Sequence, residues 1–290
     1  MPELRELVAE ELNAPVDSRI REIASAIARE HGSAAVAVLF YGSCLREQQL
    51  DGLMLDFYLI VSDYRSTYTK RWLALANRLI PPNVFYFERA GFAAKYAVLS
   101  EADFAHECSP EAWTVSTAAR FAQPSRLVWS ASAAAAEKCV EIVSGAAPTL
   151  LGWTLSATPP TGSAIDLWKR AFSLTFAAEL RAERSDRSGQ IVDADPKRYE
   201  RFAAAAAIQI ADLSAKGAGW WRSKQRHGKF YSIARLAKAS LTFAGGADYI
   251  AWKINRHAGT KIYLKPWQQR HPLLAGISLL PRLLRSGAVH

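Results

Sequence analysis

Cysteine is scarce in this chain. There are three in 290 residues, Cys44, Cys108 and Cys139, far apart and odd in number. That spacing argues against a disulfide framework and against a metal knuckle, and it fits a reducing cytoplasm. Long apolar runs are missing too. No uninterrupted stretch of about 18 apolar residues occurs, so no transmembrane helix is expected. The opening MPELRELVAEELNAP carries acids where a secretory signal needs an apolar core, so neither a signal nor an Arg-rich transit peptide is expected. No Cys/His nucleophile arrangement and no P-loop lysine motif is present. Acidic residues nearly vanish towards the end: of the 36 Lys and Arg, 14 follow Ala215, against the single acid Asp248. The net charge of +9 therefore belongs to the tail, and the first 215 residues are mildly acidic. Such asymmetry points the tail at an anionic partner.

Half of the residues are hydrophobic, enough for a sizeable core and up to two modest domains. Ile20, Ile23, Ala24 and Ile27 share one face of a helix over 18–30, with Ser18 as the expected N-cap. Apolar runs predict strands over 36–41, 53–61, 84–88 and 94–100, with a turn at Gly91 between the last two. A helix over 66–79 is expected to stop at Pro81-Pro82. Ser100 should cap a short acidic helix, and Ser109-Pro110-Glu111 should start another. Residues 1–130 thus read as a mixed α/β unit and 131–215 as all helix, with a polar, turn-rich loop over 184–196. From 216 onward, basic residues alternate with aromatics such as Trp220, Trp221, Phe230, Tyr231, Trp252 and Trp267. Helices are expected there over 228–243 and 247–259.

The chemistry concentrates in FYGSCLREQQLDGLMLDFYLIV, residues 40–61. A Gly42-Ser43 turn after an apolar strand lets backbone N–H groups approach a phosphate. Asp56 is a lone acid inside the next strand, where an unpaired charge would be costly to bury. It either pairs with a base such as Arg46 or Lys95, or holds magnesium. Polymerase-β-like nucleotidyltransferases share this layout but add a second acid two residues on, where this chain has Tyr58. Asp63, Asp51 and Asp103 are the nearby substitutes, with Asp63 first because it ends the same strand. Lys95 could be a snorkelling edge residue or a phosphate contact. Arg120 in AARFAQP reads either as a helix-end surface residue or as a phosphate ligand. His257 and His271 stand in basic contexts without metal-ligand spacing and read as interfacial.

Over residues 36–128 the order of motifs resembles the mitochondrial translocator assembly and maintenance type of phosphatidate cytidylyltransferase and its bacterial relatives. Tyr41-Gly42-Ser43, Leu55-Asp56-Phe57, the strand Lys95-Tyr96-Ala97-Val98-Leu99-Ser100, Trp113 and the segment Ala118–Pro124 carry the resemblance. Ala97 and Ala119 stand where the family has glycine, and Ala122 interrupts its Gln-Lys-Pro.

The resemblance implies an α+β fold: a polymerase-β-like nucleotidyltransferase domain, then a helical domain, then a basic amphipathic C-terminal region. It implies magnesium as cofactor and CTP and phosphatidic acid as substrates, giving CDP-diacylglycerol and pyrophosphate. Asp56 and Lys95 would be catalytic. Tyr41, Gly42, Ser43, Lys95 and Arg120 would bind nucleotide, and Asp56 and Asp63 would bind metal. The tail, 216–290, would rest on an anionic membrane, placing the protein peripherally on the inner face of a bacterial membrane; its aliphatic content argues against nucleic acid. Two other readings share the residues: a nucleotidyltransferase acting on RNA or a small molecule, and a non-catalytic membrane adaptor.

Overall fold

A computed structural model describes residues 3–47, 53–157, 162–179, 187–213, 218–242 and 265–266. Two helices, α1 (Leu4–Asn13) and α2 (Ser18–Glu30), precede β1 (Ala35–Tyr41). A short α3 (Ser43–Glu47) follows, then β2 (Leu55–Val61), α4 (Tyr64–Thr67) and α5 (Arg71–Leu79). A hairpin of β3 (Asn83–Arg89) and β4 (Phe92–Ser100) leads to α6 (Glu101–Glu107), α7 (Ser116–Phe121) and β5 (Ser125–Ser130). The described remainder with regular structure is helical: α8 (Ala133–Ser144), α9 (Ala146–Ala157), α10 (Ala164–Ala178), α11 (Arg187–Asp193), α12 (Pro196–Leu213) and α13 (Ala218–Thr242).

The fold is α+β. Five strands form one mixed sheet in the order β3-β4-β2-β1-β5; β2 and β4 run parallel and the other neighbours antiparallel. Alternation along the strands divides the sheet between two cores. One face presents Val38, Phe40, Phe57, Leu59 and Val98 to the Ile20, Ile23 and Ile27 stripe of α2. The other presents Leu39, Tyr58, Ile60 and Leu99 to the helices. That second core runs without interruption from Leu7 of α1 through Leu151 of α9 and Trp168 of α10 to Trp221 of α13. The helices after β5 therefore bury their apolar faces against the sheet layer.

A buried ion pair ties the chain's beginning to its later helices. Arg198 of α12 donates to both carboxylate oxygens of Glu11, and its Nη1 donates to the carbonyl of Ala122, 3.1 Å away. The same guanidinium lies 4.1 Å from the ring of Phe202.

Several local expectations change. The N-cap of α2 is Asp17, whose carboxylate accepts from the Arg19 N–H at 2.9 Å; Ser18 is already helical. Residues 66–79 form two short helices separated by extended Tyr68. The Ser109-Pro110 segment is a turn, held open because the buried carboxylate of Glu107 accepts from the Trp113 N–H and the Thr114 hydroxyl. The segment 184–196, expected as a loop, contains α11, because Ile191 and Val192 bury in the core. Strand β5 has no counterpart among the expected strands. The helix expected over 228–243 is part of α13 and ends at Thr242, while the one expected over 247–259 lies outside the described residues.

Candidate functional site

Three neighbouring strands bring the expected residues together. In the register, Tyr41 of β1 faces Asp56 of β2, and Asp56 faces Lys95 of β4. Odd–even alternation puts Tyr41, Asp56 and Lys95 on the helix-covered face, in line with Leu39, Tyr58 and Ala97. The Lys95 Nζ lies 3.0 Å from Asp56 Oδ1. Of the two partners that the sequence offered Asp56, Lys95 is the one this pairing provides. Oδ1 is buried and accepts no hydrogen bond of good geometry from the described residues, so Lys95 neutralises its charge without filling its lone pairs.

Gly42 closes the site from the β1 side. Its φ is +97°, a left-handed backbone that favours glycine. A Cβ built there would lie 2.9 Å from Asp56 Oδ2, below any ordinary contact. Both the backbone and the space therefore require glycine, and the chain turns directly beside the carboxylate. Ser43 opens α3 and is half-buried.

Arg120 approaches from α7. Burial alone would lower its pKa; the nearby Tyr58, Glu179, Tyr41 and Asp56 outweigh that and hold the guanidinium firmly cationic. The pKa of the Tyr41 hydroxyl is raised as well, by burial first and then by the charge of Asp56. Both phenol and guanidinium thus keep their ordinary protonation across the physiological range.

Tyr58, where a second acid would stand, packs its ring 5.3 Å from Tyr41 and 5.2 Å from Phe121. Asp63 is not brought to Asp56. It lies beyond the far end of β2, whose last residue Val61 is itself about 16 Å along the strand from Asp56 at roughly 3.3 Å per residue. There its carboxylate caps α4, accepting from the Arg65 and Ser66 N–H groups at 2.7 and 3.0 Å. A bond from the Ser66 hydroxyl at 2.6 Å, and then the two backbone bonds, lower its pKa. Asp103 also belongs to that far end, where it accepts from the Tyr64 hydroxyl. Asp51, His257 and His271 lie outside the described residues.

Whether magnesium fits rests on the donors present. Among the described residues no group of three His, Cys, Asp or Glu could hold a metal. Asp56 supplies one carboxylate, with a lone-pair-bearing oxygen that Lys95 only neutralises. Magnesium bound with a nucleotide needs one or two carboxylates, the phosphates and water supplying the rest. Asp56 meets that minimum; Asp63 adds nothing to it.

Two residues absent from the sequence-based site meet at Ser116, one helical turn before Arg120. Glu179, just past α10, accepts a hydrogen bond from the Ser116 hydroxyl. Arg235 of α13 donates to the Ser116 hydroxyl at 3.0 Å, to Thr114 at 3.3 Å and to the Pro81 carbonyl at 2.6 Å. No local pattern in the sequence could have joined residues 59 and 115 positions beyond Arg120. A separate cleft of about 430 Å³ opens between α13 and the 111–113 turn, lined by Trp113, Lys224, His227 and Tyr231. None of Asp56, Lys95 or Arg120 lines it.

A carboxylate between a glycine turn and a lysine, with an arginine nearby, can receive a polyphosphate with its cation. No family model matches the chain, and no curated protein matches it. No helix among the described residues is long and apolar enough to cross a membrane.

Proposed function

We propose that the protein is a phosphatidate cytidylyltransferase, making CDP-diacylglycerol and pyrophosphate from CTP and phosphatidic acid. One observation carries the reading: Asp56 stands in register between the Tyr41-Gly42 turn and Lys95, with Arg120 close enough for its charge to act on Tyr41 and Asp56. These are the residues on which the resemblance to that family rests.

In this reaction a phosphate oxygen of the lipid attacks the α-phosphorus of CTP. The new P–O bond forms as the bond to the β-phosphate breaks, and pyrophosphate leaves with that electron pair. Little covalent work falls to the protein, so catalysis is positioning and charge stabilisation. Gly42 lets the chain turn tightly beside Asp56, so that the turn's backbone can approach the triphosphate. Lys95 exchanges the Asp56 carboxylate for phosphate oxygens and offsets their charge. Arg120, held cationic, supplies a second fixed positive charge with planar, two-pronged donors. Asp56 would hold the magnesium, whose contribution is to neutralise triphosphate charge.

The test is transfer of label from α-labelled CTP to a lipid-soluble product, with short-chain phosphatidic acid in mixed micelles and magnesium. Lipid-soluble label from CTP and none from the other nucleoside triphosphates is the expected result. Label that appears only in RNA or in a water-soluble acceptor would replace the lipid by another substrate.

A further inference from the structure

Helix α5 is built the wrong way round for a core helix. Of its nine residues Asn77 alone is buried, donating to the Val98 carbonyl at 2.9 Å and accepting from the Asn83 N–H. Its large apolar side chains Trp72, Leu75 and Leu79 are instead 45%, 58% and 62% exposed. Positions i, i+3 and i+7 share one helical face, so the three form a single outward stripe. The charges beside it are mostly positive, with exposed Asp63 and Glu88 on the flanking elements. Arg65, Lys70, Arg71 and Arg78 are exposed, and no acid occurs from Tyr64 to Phe87.

Helix α13 repeats the pattern across the Ile80–Pro82 turn. Arg235 and Lys238 reach inward to the carbonyls of that turn. Phe230 and Ile233 point outward, 68% and 57% exposed. Exposed Arg222, Arg226 and Lys229 accompany them, and the whole helix contains no acid.

We infer that the α5 stripe, continued by Phe230 and Ile233 of α13, is a surface that lies on an anionic lipid bilayer. Charge complementarity selects the occupant: an apolar face with an exposed Trp and mostly cations around it suits the headgroup region. A second copy of this face would set cations against cations. The inference rests on the lipid substrate of the proposed function, and it adds a membrane contact inside the sheet unit to the one expected of residues 216–290.

The test reads position 75 in the full chain. The native cysteines Cys44, Cys108 and Cys139 are buried, so an environment-sensitive fluorophore can be placed on Leu75→Cys, with Glu141→Cys on exposed α8 as the control. Both are titrated with phosphatidylcholine vesicles with and without phosphatidylglycerol, in the absence of nucleotide. A blue shift at position 75 confined to the phosphatidylglycerol vesicles, with none at 141, is expected. Replacing Trp72 and Leu79 by serine in the same labelled chain should weaken that response by at least about 10-fold. A silent label at 75 while vesicles still pellet the protein would overturn the inference, because the membrane contact would then lie elsewhere. A shift that follows protein concentration without lipid would overturn it in favour of self-association. Phosphatidylglycerol is not a substrate of the proposed reaction, so this outcome is independent of cytidylyl transfer to short-chain phosphatidic acid.

Discussion

A side chain on Gly42 would meet the carboxylate of Asp56 at 2.9 Å, although the two residues belong to different elements. The turn and the acid are therefore one unit. Gly42→Ala imposes a left-handed conformation on a residue with a Cβ, at about 1–2 kcal/mol, and displaces Asp56 as well. The expected outcome is a modest fall in melting temperature with a loss of CTP turnover far larger than that fall explains. Thermal unfolding and label transfer on the same preparation separate the two effects.

Lys95 neutralises Asp56 in the absence of nucleotide, and its side chain is partly accessible. Lys95→Met leaves the carboxylate without its cation. Turnover should drop by about 100-fold or more, the scale of removing one strong electrostatic stabiliser from a transition state. Lys95→Arg should recover only part of it, because a planar fork does not replace a compact ammonium. Steady-state kinetics with varied CTP reads this directly.

The Arg198–Glu11 pair joins α1 to α12 and, through the Ala122 carbonyl, to the end of α7. Arg198→Met strands a mostly buried carboxylate and should cost about 3–5 kcal/mol. Adding Glu11→Met should recover much of that loss, since the uncompensated charge is then gone. Denaturant titrations of the single and double variants give the comparison.

Lys238 gives the fold a pH dependence with a definite sign. Burial, and then the charge of Arg235, pushes its ammonium down to about 7. The unfolded chain holds that proton up to about 10.4, so it binds more protons than the folded chain between these values. Stability should therefore rise as pH climbs above 7 and fall as pH returns to it. Cys108 and Cys139 oppose this at higher pH, because burial raises both thiols and the unfolded chain ionises first. The interval from about 7 to 8 lies below most of that thiol ionisation. Unfolding free energies from denaturant titrations should rise across it by up to about 1 kcal/mol, and Lys238→Met should flatten the trend.

Much of the sheet is legible in the sequence because its strands are near-continuous apolar runs. AVAVLFY and LDFYLIV can satisfy both cores only as central strands, and they sit side by side near the centre of the sheet. Strand β5 is hard to read because SRLVWS is short, largely half-buried and preceded by Pro124. Tyr41, Gly42, Asp56 and Lys95 are readable because each lies on a strand or turn whose register follows from its neighbours. Asp63 misleads for the same reason. It follows the strand of Asp56 in sequence, but a strand carries its two ends apart, and Asp63 serves α4. Glu179 and Arg235 depend on how α10 and α13 return to α7, which no local pattern encodes.

The most direct measurement compares Asp56→Asn with Asp63→Asn in the label-transfer assay with CTP, phosphatidic acid and magnesium. Asparagine preserves shape at both positions and still caps α4 at 63. Loss of turnover by about 1000-fold or more in Asp56→Asn, with Asp63→Asn close to the unmodified protein, is the predicted result. Full activity in Asp56→Asn, or its loss in Asp63→Asn with the fold intact, would contradict a cytidylyl-transfer site at the Gly42–Asp56–Lys95 end of the sheet.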